Sequence, residues 1–519
     1  MTPSFIRGRP RSATPHPSVR VADALLGATA GVVWLVLPTM TTGTEVPVVI
    51  KDQRPVAVAP APDDGDDETP TADLVLPLIA VGTAGVLAGY GYLRRTRRAR
   101  TRTTPGGAAA GPTAPPPAAL DERTRVALVE ADDWVRTGHE ELSYAEALHG
   151  TAAVAPWARA LREAGTELSA AFRIRQRYDD GLPGDPTARR HALAGIAGRC
   201  EEAGRRLDTE AAGFDRLRGL ELDVGAALEV AEARFRELTA RTAAARATLA
   251  GLERRYARSA TAPVTGNVEQ ATDRLVFATA RLNLAHQAAD GTDHARAAGH
   301  LRAAEGAVAQ AGVLVTGVER LAAELSAATE LVPAALTGAE ALLAGERERS
   351  TAGGEARVRL RYADGVLGTV REELTGGPYD PLGVLRRIVR AVGPSAAAQG
   401  GVLSVAALSV ARSTTAAADD VVGTHRGAVG AEARTRLAEA QRLLGTDPPD
   451  PEAADALARQ ARDLAEQDIH RYGRPDAGAA GDPSGTAGAV LGGVLLGGGP
   501  DGGPPPSFGG PRTRARRGT

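Results

Sequence analysis

The chain has 519 residues, of which 43% are hydrophobic and only 3% are aromatic. Its 61 basic and 63 acidic side chains leave a formal net charge of −2, so no domain-wide basic field indicates a nucleic-acid partner. The single cysteine, Cys200, excludes an internal disulfide and a CxxC metal or redox motif. We expect this cysteine to be a small residue on a helix face.

Two long uncharged runs near the N-terminus, 24–44 and 74–93, determine the predicted topology. Each reaches the roughly 20 residues that a helix needs to cross a membrane, and the second run is the stronger candidate. The basic flanks are Arg7, Arg9, Arg11 and Arg20 before the first run and Arg94, Arg95, Arg97, Arg98, Arg100 and Arg102 after the second. By the positive-inside rule both flanks are cytoplasmic, so the acidic, proline-rich loop 45–73 lies outside a bacterial plasma membrane and the C-terminal region lies inside.

The membrane segments carry two further signals and one open alternative. Tyr90 and Tyr92 stand where the inner aromatic belt of the 74–93 helix is expected. Gly85 and Gly89 form a GxxxG pair, which favours close packing against a partner helix. Residues 1–44 fit either a basic N-terminus with a cleavable signal peptide or one with a retained first membrane segment.

The sequence after the second run changes from a linker to a helical pattern. Residues 94–119 combine the basic stop-transfer segment with a Pro/Gly linker. From 120 to 473 the apolar residues recur at spacings of three and four, which predicts helices and essentially no sheet. Helix starts are predicted at Asp185-Pro186, Asp380-Pro381 and Asp450-Pro451, because each pairs an N-cap acceptor with a proline at the first helical position.

The same pattern predicts how these helices are connected. Polar turns at Asp290–Asp293 and Asp447–Asp450 each predict a helical hairpin, and the longest single helix is expected from Phe214 to Tyr256. Residues 474–519 are rich in Gly and Pro and end in four arginines, which predicts a disordered basic tail. The predicted fold class is therefore all-α: membrane segments, then a long cytoplasmic array of antiparallel helices or coiled coil, then a disordered tail.

Several stretches, in order along the chain, resemble the TPM-domain-containing membrane proteins of actinobacteria. The matching stretches are Leu93–Gly107, Pro263–Asn283, His300–Ala311, Gly377–Arg387, Thr424–Gln441 and Asp455–Asp468. The resemblance implies a signal peptide, an extracytoplasmic TPM domain, one membrane span and a long helical cytoplasmic part. A TPM domain, with which phosphatase-like or metal-binding activity is associated, is much longer than the 45–73 loop. We therefore expect that domain to be missing here, and no catalytic residue is transferred.

The leading functional hypothesis is a membrane-anchored, non-enzymatic cytoplasmic helical scaffold or interaction protein. Its expected partners are the membrane and either a second copy or a cytoplasmic protein. The sequence contains no phosphate loop ending in Lys-Ser/Thr, no nucleophile elbow and no metal-ligand spacing, so no catalytic, cofactor or metal residue and no small-molecule substrate are predicted. Two alternatives stay open: the membrane half of a degenerate or split TPM-type phosphatase-like protein, and a transmembrane signal transducer.

Overall fold

The computed structural model of the protein describes residues 116–349, 354–393, 401–472, 485–497 and 502–517. All described residues lie in one compact unit, Ala110–Thr519. The predicted membrane segments, their basic flanks and the loop between them lie outside the described residues.

The described residues are helical, with turns and short connections between the helices and no strand among them. The helices are α1 Pro117–His149, α2 Thr151–Asp179, α3 Pro186–Arg218, α4 Gly225–Arg255, α5 Arg258–Thr261, α6 Asn267–Asp290, α7 His294–Arg349, α8 Gly354–Gly376, α9 Pro381–Val392, α10 Val402–Thr424, α11 Ala431–Leu444, α12 Pro451–Tyr472, α13 Thr486–Leu491 and α14 Pro511–Arg517. A short 3₁₀ helix, Ala262–Val264, links α5 to α6. The prediction of an all-α chain is confirmed for this region, whereas the coiled-coil arrangement stays a prediction.

The three Asp-Pro helix starts are confirmed. The backbone N–H of Ala188 donates to Asp185 Oδ2 at 2.8 Å at the start of α3. Asp380 accepts from the Gly383 N–H at 2.9 Å at the start of α9. Asp450 accepts from the Ala453 N–H at 3.1 Å at the start of α12. Each aspartate satisfies a backbone donor that the first helical turn leaves without a partner.

Both predicted hairpins are present. Helix α6 ends at Asp290 and α7 begins at His294, and the pair forms the most extensive helix–helix contact of the described residues. Buried alanines recur every seven residues on α6, at Ala271, Ala278 and Ala285, and such small side chains let two helix backbones approach closely. Helices α11 and α12 form the second hairpin.

Helix α7 is the axis of the bundle. Its 56 residues correspond to a length of about 84 Å, and it contacts α1, α4, α6, α8, α9 and α10. The main hydrophobic cluster lies along it, and a second cluster lies between α1, α2 and α3. Within the described residues, one stretch, His294–Glu348 of α7, is long and apolar enough by length and composition to cross a membrane, a test that a buried core helix also passes.

The prediction of one long helix from Phe214 to Tyr256 is wrong. Helix α3 ends at Arg218, because Gly219 adopts a left-handed conformation with φ 57° that closes the helix. Leu220 and Val224 in the following turn are buried, so the connection is fixed by packing before α4 begins at Gly225.

The prediction of a disordered tail over 474–519 is wrong for two parts of that segment, 485–497 and 502–517. Both parts pack on the bundle and contain buried residues, among them Ala489, Val494, Leu495 and Phe508. Glycine supplies the reason. Gly510 lies so close to the Gly204 backbone of α3 that a Cβ there would overlap it, so residues that read as flexible in sequence serve as close-contact positions.

Candidate functional site

Helix α1 carries two adjoining rows of polar residues along one side. Asp132, Arg136 and Glu140 follow one another at intervals of four, and Asp133 and Glu141 stand beside them in the next row. Mixed charges at this spacing normally indicate a solvated face. Here the face is turned to the rest of the bundle, and Asp132 and Glu141 are buried.

Two arginines around the start of α11 pair with these rows. The side chain of Arg434 is 1% exposed, and its Nη1 donates to Asp132 Oδ2 at 2.6 Å and to Asp133 Oδ1 at 2.7 Å. Its Nη2 donates to the backbone oxygen of Arg426 at 2.8 Å. The side chain of Arg426 in turn donates from Nη2 to both carboxylate oxygens of Glu140, at 2.8 and 3.0 Å. The α10–α11 connection is thus fastened to α1 by buried charge.

These contacts keep the groups ionised. Burial alone raises the pKa of Asp132, but the positive charges of Arg136 and Arg434 outweigh it and lower the pKa below its ordinary value. Arg434 is itself desolvated, which lowers its pKa, yet Asp133 and Asp132 raise it by more. Paired in this way, both groups hold their charge over the whole physiological range.

A second buried pair joins α3 to α7. Nη2 of Arg218 lies 2.7 Å from Glu305 Oε1 and 2.5 Å from Oε2, with side chains 2% and 3% exposed. Next to it, Nε of Arg302 lies 3.3 Å from Glu141 Oε1, and the Tyr144 hydroxyl donates to the Glu305 backbone oxygen at 3.2 Å. Helices α1, α3 and α7 therefore meet at one charged centre. We call this centre, together with the Arg434–Asp132 and Arg426–Glu140 pairs, the ion-pair core.

The first tail segment, 485–497, is bound beside this core. The backbone oxygen of Gly492 accepts from Nε2 of Gln310 and, at 3.3 Å, from Nε of Arg426. The N–H of Gly427 donates to the Leu491 oxygen at 2.9 Å. The segment thus supplies backbone acceptors to polar groups of α7 and of the α10–α11 connection.

Arg274 of α6 also contacts this segment. Its Nε donates to Gln310 Oε1 at 3.1 Å, and its guanidinium lies against Gly488, where any Cβ would overlap it. Burial lowers the pKa of Arg274 to about 10, since no carboxylate compensates it as fully as those that face Arg218 and Arg434.

The second tail segment, 502–517, occupies an aromatic groove on α2 and α3. The ring of Phe508 is stacked on that of Phe214, with centroids 4.4 Å apart, and Trp157 packs edge-on against Phe214 at 5.9 Å. The Phe508 N–H donates to Glu141 Oε2 at 2.9 Å, so this segment also reaches the ion-pair core.

None of the site residues singled out in the sequence is among those that the structure describes. Those residues are Arg94, Arg95, Arg97, Arg98, Arg100, Arg102, Tyr90, Tyr92, Gly85 and Gly89, and all of them lie outside the described residues. Sequence reasoning missed the ion-pair core and the docked tail. The signal available for the tail was Phe508, an aromatic residue within a Gly/Pro-rich segment of a chain that holds only six phenylalanines.

The chemistry available within the described residues is mainly that of charge pairing. Cys200 is buried on α3, as expected, and burial raises the pKa of its thiol to about 12. In the part of the chain that the structure describes, no group of three or more His, Cys, Asp or Glu residues is placed to hold a metal ion.

The chain is 31% identical over 437 residues to two Mycobacterium tuberculosis proteins, UPF0603 protein MT2410 and UPF0603 protein Rv2345. The chain is homologous to these UPF0603 proteins. The match covers 76% of this chain but 64% of each relative, so the chain spans less than two thirds of their length. No family model matches the chain, so the TPM assignment stays a prediction. No solved structure matches it either.

Proposed function

We propose that this chain is a membrane-anchored, non-enzymatic helical scaffold, which acts by holding helix faces and its own C-terminal segment in fixed positions for another protein or a second copy. The observation that supports this best is the ion-pair core. Its buried charged side chains form ion pairs between helices. The Arg218–Glu305 pair joins α3 to α7, and the Arg434–Asp132 pair joins α11 to α1.

Such pairing favours an architectural role over acid–base chemistry. A general acid or base works best with a pKa near the operating pH. The pKa of the Asp132 carboxyl is shifted away from neutrality, and the guanidinium groups of Arg218 and Arg434 are held protonated by their partners. Burial raises the pKa of Glu305, and the charge and hydrogen bonds of Arg218 oppose that shift. In this proposal, the buried pairs fix the register and orientation of one helix against another.

Helix α8 offers a face for assembly. Val358 and Tyr362 are four residues apart and hence on one side of α8, and they are 57% and 67% exposed. The opposite side of the helix packs on the bundle through Leu360, Ala363 and Leu367. In the scaffold proposal, the Val358 and Tyr362 face binds a second copy.

The test is crosslinking and native mass measurement on the full-length chain in a mild detergent. We expect a stoichiometric assembly that is weakened when both Val358 and Tyr362 are replaced by Ser. Leu222→Ser is the matched control, since Leu222 is 82% exposed in the turn between α3 and α4. A chain that stays monomeric at all concentrations, and that brings down no partner from membranes, would contradict the scaffold proposal.

A second candidate rests on the relatives. Because 64% of each UPF0603 relative is matched, those proteins contain sequence that this chain does not match. As an alternative, we propose the membrane half of a degenerate or split TPM-type phosphatase-like protein, on the strength of the sequence resemblance to TPM-domain-containing proteins. Recovery of a separate TPM-domain protein with the tagged chain would support this alternative over self-assembly.

A further inference from the structure

The three-helix unit formed by α1, α2 and α3 has two ends, and the chain enters it at one of them. The turns at Gly150 and at 180–185 make the three packed helices alternate in direction. The start of α1, the end of α2 and the start of α3 therefore lie together, and Arg175 Nη1 lies 2.5 Å from Asp121 Oδ1 there. We call residues 117–125 and 175–190 the entry end, because the chain reaches it from the predicted membrane helix 74–93 through residues 94–116.

The entry end combines an apolar tip with unpaired arginines. Leu182, in the turn between α2 and α3, is 62% exposed. Arg123 on α1, Arg177 on α2 and Arg190 on α3 are also exposed, and each lies within two helical turns of this end. Among the described residues, no carboxylate lies within ion-pair distance of any of these three arginines. Their charges are therefore available to a partner from outside.

Most of the acids at the entry end are engaged in other contacts. Arg175 binds two of them, Asp121 at 2.5 Å and Asp179 at 2.7 Å. A third, Asp180, lies 3.4 Å from Arg436 of α11. The remaining two are Glu122, on α1, and Asp185, the N-cap of α3. The charge that this end offers to an outside partner is therefore mainly that of its three unpaired arginines.

The opposite end of the same helices differs in charge. It too exposes a leucine in a turn, since Leu222 between α3 and α4 is 82% exposed. The residues on either side of this leucine are the exposed acids Glu221 and Asp223. The two ends thus share an apolar tip and differ in the charge beside it. Only the entry end is complementary to a negatively charged surface.

We propose that the entry end docks on the surface of the membrane that anchors the chain, with Leu182 in the interfacial layer and the three unpaired arginines at the phosphates of anionic lipids. This inference depends on the membrane anchor of the proposed function. Arginine fits such a contact because its guanidinium binds phosphate while its aliphatic stem lies along apolar surface. Apolar and basic side chains together are what holds peripheral segments to anionic bilayers.

The tether allows this small contact to be sufficient. Residues 94–116 span at most about 80 Å when fully extended, at roughly 3.5 Å per residue. The tether is joined to the entry end itself, so this end is held near the bilayer at a high effective concentration. Three arginines and one leucine would bind a free protein only weakly to a membrane. For the anchored chain, docking is an intramolecular step and needs no more.

The test uses the full-length chain, incorporated through its anchor into lipid nanodiscs, and hydrogen exchange by mass spectrometry over residues 181–188. One set of nanodiscs contains phosphatidylcholine alone, and the other contains phosphatidylcholine with phosphatidylglycerol. The quantity compared is the ratio of the exchange rates in the two lipids. We expect slower exchange with phosphatidylglycerol, and we expect high salt to abolish the difference because it screens the attraction between arginine and lipid.

Two matched pairs of variants separate docking from local stability. Arg190→Gln should lower the ratio by about fivefold, the contribution of one arginine near an anionic surface. Arg216→Gln is its control, because Arg216 is exposed at the other end of α3. Leu182→Ser should lower the ratio by about tenfold through lost apolar burial. Leu222→Ser, at the opposite end, should leave it unchanged.

The possible outcomes distinguish the docking proposal from the anchor on which it depends. Equal exchange in both lipids, or a ratio that Arg190→Gln and Leu182→Ser leave unchanged, would overturn docking while the anchor stands. Protection that ignores the lipid and rises with the number of chains per nanodisc would overturn it in favour of a second copy. A chain that does not enter nanodiscs at all would refute the anchor, and the docking proposal with it.

Discussion

Thr513 donates twice to the carboxylate of Asp208, from its backbone N–H at 3.0 Å and from its hydroxyl at 2.7 Å, both to Oδ1. The N–H groups of Gly510 and Arg512 donate to the same carboxylate at 2.9 and 3.1 Å. A single side chain of α3 thereby caps the first turn of α14. The donors that an isolated helix start leaves free are satisfied from another helix, so α14 depends on α3 for its position.

We expect Asp208→Ala to release the C-terminal segment. Loss of an N-cap costs about 0.5–2 kcal/mol, and the upper end applies here because one carboxylate serves four donors. Hydrogen exchange by mass spectrometry over Phe508–Thr513 measures the release. Asp208→Asn retains one carbonyl oxygen and should have a smaller effect, while Thr209→Ala, an exposed neighbour, should have none. Unchanged exchange in Asp208→Ala would disprove the capping role.

The Arg218–Glu305 pair predicts a non-additive loss of stability. Replacing either residue alone with Leu leaves a buried charge without its partner, at a cost of about 3–5 kcal/mol in the free energy of unfolding. Replacing both should cost clearly less than the sum, because no charge is left unpaired. Urea unfolding of the four proteins, followed by circular dichroism, gives the coupling. Additive single-variant losses would mean that the two side chains do not act as a pair.

The thiol of Cys200 is predicted to be inert in the folded protein. Only the thiolate reacts with alkylating reagents or disulfides, and burial raises the pKa of this thiol to about 12. Mass spectrometry after iodoacetamide treatment should find Cys200 unmodified in the native chain and fully modified in urea. Rapid modification under native conditions would show that α3 opens locally.

Helix starts could be predicted from the sequence, whereas the partners of buried charged side chains could not. Asp185, Asp380 and Asp450 were recognisable as helix starts because the cap and the proline lie within the same few residues. Arg434 could not be assigned in this way, since its partners Asp132 and Asp133 lie about 300 positions earlier in the chain. Helical periodicity reports which face is apolar and says nothing of which helix covers it.

The tail illustrates the same limit for composition. A Gly/Pro-rich segment resembles a flexible linker because such residues bury little area of their own. Gly488 and Gly510 are used instead for what they lack, a Cβ, where the chain lies against the Arg274 guanidinium and the Gly204 backbone. Whether a glycine belongs to a flexible linker or to a close contact depends on the surface that the segment packs against. That surface is formed by residues far away in the sequence.

His425 makes the stability of the protein depend on pH in a defined direction. Burial lowers its pKa, a hydrogen bond from the ring to the Val421 oxygen partly offsets this, and the charge of Arg274 lowers it further. In the unfolded chain the imidazole has a pKa of about 6.5. Below that pH the unfolded state binds a proton that the folded state binds less readily, so stability falls with falling pH until the lowered folded pKa is passed.

The contribution of this one group is at most about 1.4 kcal/mol per pH unit, and it operates from about pH 6.5 downwards. Other groups, among them the buried carboxylates, add pH dependence of their own, so the informative quantity is the difference between the wild type and His425→Asn. We expect the variant to lose less stability than the wild type on acidification from neutral pH, measured by urea unfolding. His149→Asn, at the exposed end of α1, is the control and should follow the wild type. Parallel pH profiles for the wild type and His425→Asn would show that the imidazole takes up its proton equally well in both states.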